Sequence, residues 1–138
     1  MKISNLDLLK RQHQEIGDIL NKIEGYISAQ TVVEKSFDIS LNIGLLAGKL
    51  LTHLNSEDKY LYPSLANHPD QKTQTISKRF MEEMGGLSQA FTLYKGKYMI
   101  ANNIKANPSQ FTTETRTVFD AIRKRVAAEE KELYPLLK

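Results

Sequence analysis

Two histidines and two glutamates, His13, His53, Glu57 and Glu129, stand at positions where the surrounding sequence repeats apolar residues. Imidazole nitrogens and carboxylate oxygens are donors for transition-metal ions, and burying such groups is costly unless each finds a partner. His53 and Glu57 are four residues apart. On a helix that spacing turns both side chains to one face, where they can share a centre. An isolated HxxxE is a weak signal, common by chance on helix surfaces. Its weight comes from lying in an apolar seam. The two glutamates also suggest a general acid/base pair, but a sealed bundle core offers no substrate pocket, so the chain reads as non-enzymatic.

Other chemistries drop out early. The chain has no cysteine, which removes disulfides, thiolate metal sites, iron–sulfur clusters and Cys nucleophiles. It shows no Ser-His-Asp arrangement, Gly-rich phosphate loop or zinc motif. His68, before Pro69 in a polar stretch, reads as a solvent-exposed imidazole, and Tyr62 and Tyr134 as half-buried packing at helix ends.

The elements that must position the four residues follow from periodicity. Polar stretches at Ser28 to Ser36, Ala66 to Lys72 and Lys105 to Thr113 divide the chain into four segments. In each, apolar residues recur at alternating steps of three and four, the signature of a helix with one buried face. The first seam runs Leu6, Leu9, His13, Ile16, Leu20, Ile23, Ile27, and the second Ile39, Ile43, Leu46, Leu50, His53, Glu57, Tyr60. The third runs Ile76, Phe80, Met84, Leu87, Phe91, Tyr94, Tyr98, Ala101, and the fourth Phe111, Thr115, Val118, Ile122, Arg125, Glu129.

Short connections place consecutive helices side by side, so the expected fold is all-α, an up-down-up-down antiparallel four-helix bundle forming one domain over residues 1–138. Ser4 with Asp7 resembles a capping box, Thr112 or Thr113 can cap the last helix, and Pro63 and Pro135 should stop the second and fourth. Gly44 and Gly48, one turn apart, suggest close helix approach, and the Gly85–Gly86 pair a kink in the third helix.

Counting turns along antiparallel helices puts His13, His53, Glu57, Arg125 and Glu129 at one level near one end of the bundle, with Met84 slightly deeper. A faint internal repeat supports this placement. HLNSEDKYLYPSL from His53 matches RVAAEEKELYPLL from Arg125, pairing Glu57 with Glu129, Tyr62 with Tyr134, and His53 with Arg125.

QHQEI around His13, HLNSEDKYLYP from His53 and RVAAEEKELYP from Arg125, in that order along the whole chain, resemble the hemerythrin-like His-His-Glu cation-binding family. The resemblance implies a bundle whose core holds a non-haem di-iron centre, serving dioxygen or nitric oxide binding or iron sensing, with His13, His53, Glu57 and Glu129 at ligand positions. Two matches fail. Where the family places histidines on its third and fourth helices, this chain has Phe80 and Met84, and Arg125.

A thioether is a poor iron ligand in an N/O site, and a guanidinium has no lone pair to give. At about 4 Å and an effective dielectric near 20, it would repel a divalent ion by roughly 8 kcal/mol. With no metal, the same guanidinium placed between Glu57 and Glu129 would satisfy both. The first expectation is therefore a non-enzymatic, degenerate hemerythrin-like protein without a cofactor, acting in regulation or through an unknown protein partner, with homodimerisation open. The alternative is an iron-binding protein that carries or senses dioxygen or nitric oxide through the four remaining ligands.

The net charge of +3 is scattered among acidic residues rather than gathered in a basic stripe, which argues against nucleic acid. No apolar run of signal-peptide or membrane-spanning type is present, so no membrane role and a cytoplasmic location are expected.

Overall fold

The computed structural model describes residues 5–137. Six α-helices follow one another: α1 (Asn5–Ser28), α2 (Ser36–Tyr60), α3 (Tyr62–Ala66), α4 (Gln71–Tyr98), α5 (Ala101–Ala106) and α6 (Pro108–Ala128). The chain continues from α6 into a π turn, Glu129–Leu133, and a 3₁₀ turn, Tyr134–Leu136. Among the described residues there is no strand. The long helices α1, α2, α4 and α6 form the bundle, while α3 and α5 are short turns within its connections.

Side-chain pairs fix the antiparallel register. Gln12 meets Ser56 and Glu15 meets Lys49, so numbering rises along α1 as it falls along α2. His13 meets Glu129 and Glu24 meets Arg123 between α1 and the last segment, and Arg79 meets Glu132 while Lys97 meets Glu114 between α4 and that same segment. The expected up-down-up-down bundle is the observed one.

Local chemistry sets the boundaries. The Asp70 side chain caps α4 by accepting from Lys72 N, and Asn107, rather than Thr112 or Thr113, caps α6 by accepting from Gln110 N. The expected Ser4 box lies outside the described residues. Pro63 follows the end of α2 and Pro135 sits in the 3₁₀ turn, each where the missing N–H ends regular α-helix. The helix α1 closes with Gln30 at φ 60° and Thr31 N donating to Tyr26 O, a left-handed terminus made without glycine.

The glycine expectations fail. A Cβ at Gly48, Gly85 or Gly86 would meet nothing within 4 Å, and α4 runs unbroken through the Gly85–Gly86 pair. At Gly44 only the tip of Met99 comes near, at 3.5 Å. These residues sit on faces that no neighbouring backbone approaches.

The core has two apolar clusters. One gathers Ile16, Leu20, Ile43, Leu46, Phe91, Phe119 and Ile122 among others, and the second gathers Leu9, Leu61, Tyr62, Leu65, Phe80, Leu133 and Tyr134. Along α1 the break falls at His13, along α2 at His53 and Glu57, and along the last segment at Glu129. The polar residues form a layer between two apolar ones, and Phe119 rather than Val118 fills the core on α6.

Candidate metal centre

The residues around His13 gather into one buried cluster. One donor atom from each of His13, His53, Glu57 and Glu129 lies within 4.8 Å of the others. Among the described residues this is the one His/Asp/Glu group with that geometry. It is assembled from α1, α2 and the π turn after α6.

Both imidazoles turn Nε2 inward because Nδ1 is tied outward. The His13 Nδ1–H donates to Glu130 Oε2 at 2.7 Å, and the His53 Nδ1–H donates to the Gln12 amide oxygen at 2.9 Å. Gln12 is itself held by donating to Ser56 Oγ at 2.9 Å. Inward, His13 Nε2 lies 2.8 Å from Glu129 Oε1, and His53 Nε2 lies 3.2 Å from Glu57 Oε2. An acceptor on the outer nitrogen is the arrangement that orients a histidine ligand and raises its basicity.

The Tyr134 hydroxyl stands among the four. It donates to Glu57 Oε2 at 2.8 Å and lies 3.0 Å from His13 Nε2, with the ring stacked on that imidazole. Tyr134 is 1% exposed, fully buried rather than half-buried as the sequence suggested. Tyr62 is also buried, and its oxygen accepts from Arg125 at 3.1 Å.

The guanidinium does not bridge the two glutamates. Arg125 Nε donates to Glu129 Oε2 at 2.9 Å, the oxygen opposite the one facing His13, and the group stacks 4.8 Å above the Phe80 ring. Glu129 thus lies between the cation and the donor cluster. Met84 is half-buried in a groove with Leu50, Leu87 and Phe91, outside the cluster, and His68 takes the Asp70 N–H in the turn before α4.

Charge states follow from this packing. Burial alone would lower the His53 pKa, but the carboxylates of Glu129 and Glu57 outweigh it and raise it to about 9. Burial and the neighbouring Glu129 charge raise Glu57. Burial would raise Glu129 too, but hydrogen bonds from both histidines and the charge of Arg125 pull it well below the usual carboxylate range. Burial and the two carboxylates push the Tyr134 phenol far up, so without a cation it stays a donor.

The donor set fits a cation. Glu57 Oε1 is buried with no hydrogen-bond partner, an acceptor that a cation would satisfy. A small cleft of about 160 Å³ between α1 and α6, lined by His13, Gly17, Arg123 and Glu130, leads from the surface to the His13 imidazole.

Sequence reasoning missed the outer partners Gln12 and Glu130 and the inward turn of Tyr134. The only available signal was their adjacency to seam residues and, for Tyr134, its place in the internal repeat.

Fold and site together define a helical-bundle protein with a buried His/Glu cluster that could hold a cation. A family model, the hemerythrin HHE cation binding domain, matches residues 4–137, and the chain belongs to that family. No curated protein and no solved structure matches it. No helix among the described residues is long and apolar enough to cross a membrane.

Proposed function

We propose that this chain is a non-enzymatic, single-ion member of the hemerythrin family, holding one iron at His13, His53, Glu57 and Glu129 and serving in iron sensing. The observation that carries it is the convergence of four buried donor atoms within 4.8 Å. The single-ion reading is supported by Phe80 and Arg125, which stack together and offer no lone pair to an ion, and by Met84, which lines a groove outside the cluster. Iron when bound supplies a Lewis-acidic, redox-active centre. The protein's part is to orient both Nε2 atoms and keep Glu129 ionised through Arg125.

Sensing suits a site whose ligands come from three segments, since binding to such a site is felt as stability of the fold. A second reading, a metal-free regulatory or partner-binding module, is favoured by Arg125, a permanent cation hydrogen-bonded to one of the four donor residues. Elemental analysis of protein expressed with added iron and purified without chelator separates them. About one iron per chain is the expected result. Two per chain would overturn the single-ion reading, and metal far below one would leave the metal-free module.

A further inference from the structure

On the single-ion reading, the structure assigns Tyr134 as a fifth ligand, its phenolate oxygen binding iron in the trivalent state. The hydroxyl oxygen lies 2.8 Å from Glu57 Oε2, 3.0 Å from His13 Nε2, 3.3 Å from Glu129 Oε1 and 3.4 Å from His53 Nε2. It stands in the middle of the donor set. An ion bound by those four residues must come within bonding reach of this oxygen or expel it.

Expulsion is blocked. The Tyr134 ring is stacked on His13 at 5.1 Å between centroids and belongs to the buried apolar cluster that includes Leu9, Leu61, Phe80 and Leu133. Its backbone is fixed by the 3₁₀ turn and Pro135.

Charge balance decides which oxidation state the phenolate serves. The Arg125 guanidinium on Glu129 is offset by the Glu130 carboxylate on His13, so Glu57 and Glu129 neutralise a divalent ion and leave the phenol protonated. A trivalent ion leaves one uncompensated positive charge in a buried site, which a phenolate cancels. Were ferric iron bound, the O–H bond would break as the iron–oxygen bond formed and the proton would leave to water through the cleft at His13, with no change of oxidation state.

The test uses the wild-type chain and the variants Tyr134→Phe and Tyr62→Phe, each loaded with ferric iron from its citrate complex and desalted. Bound iron is counted by mass spectrometry, and visible absorption and resonance Raman spectra are recorded. Wild type and Tyr62→Phe are expected to retain iron with an intense phenolate-to-iron band and enhanced tyrosine ring modes. Tyr134→Phe is expected to lose both features and to bind ferric iron at least tenfold more weakly.

Ferric iron retained by wild type without the band overturns the assignment while leaving the single-ion site standing, as does a band that vanishes in Tyr62→Phe or persists in Tyr134→Phe. No iron retained by wild type overturns both. Should Tyr134→Phe not fold, the wild-type and Tyr62→Phe spectra decide alone.

Discussion

At the scale of single residues, the site depends on side chains that never face its centre. Gln12 and Glu130 each sit beside a seam residue, and each accepts the outer N–H of a histidine. A helical neighbour points about 100° away from its seam residue. Such partners are invisible until the packing is known, whereas His13, His53, Glu57 and Glu129 were legible because a polar type in an apolar seam is costly without a reason. Arg125 was legible as a residue at the right level, but the pattern did not show which oxygen it would hold. Replacing Gln12 by Leu should leave the fold intact and free the His53 ring to turn. Iron affinity, read by competition with a coloured chelator, is expected to fall about 10- to 100-fold. Unchanged affinity would mean that packing alone orients His53.

At the scale of elements, the four long helices and their antiparallel order could be read from period and loop length, because both signals are repeated many times. The ends could not. Five residues along an α-helix turn the chain through about 500°, which would put Tyr134 some 140° around the axis from Glu129. In the π turn Tyr134 N instead bonds Glu129 O, and both side chains reach the same cluster. One widened turn thus converts a helix end into part of a site, as π segments often do. The glycines were misread for the opposite reason, since composition cannot tell a close contact from an open face. Gly86 is exposed in the middle of α4, and a Cβ there would meet nothing within 4 Å. Gly86→Ala should therefore stabilise the protein by about 1 kcal/mol in urea denaturation. Destabilisation would show that α4 needs its freedom there.

At the scale of the whole molecule, the polar layer separates two apolar clusters and takes its candidate donors from α1, α2 and the segment after α6, with none among the described residues from α4. The metal-free chain is held across this layer by hydrogen bonds, ion pairs and ring stacking. A bound ion would replace them with bonds joining three segments, and free ion at 1,000 times its dissociation constant adds about 4 kcal/mol of stability. For a chain of 138 residues this corresponds to a rise in Tm of roughly 10–20 °C, removed by chelator. The gain should also be uneven. Hydrogen exchange should slow on iron loading around His13, around His53 and Glu57, and in the π turn, and change less in α4, which meets the layer through Phe80 and not through a ligand. Uniform protection would mean that iron acts on global stability alone, whereas protection confined to the three ligand-bearing segments would make their closure the event that reports the ion.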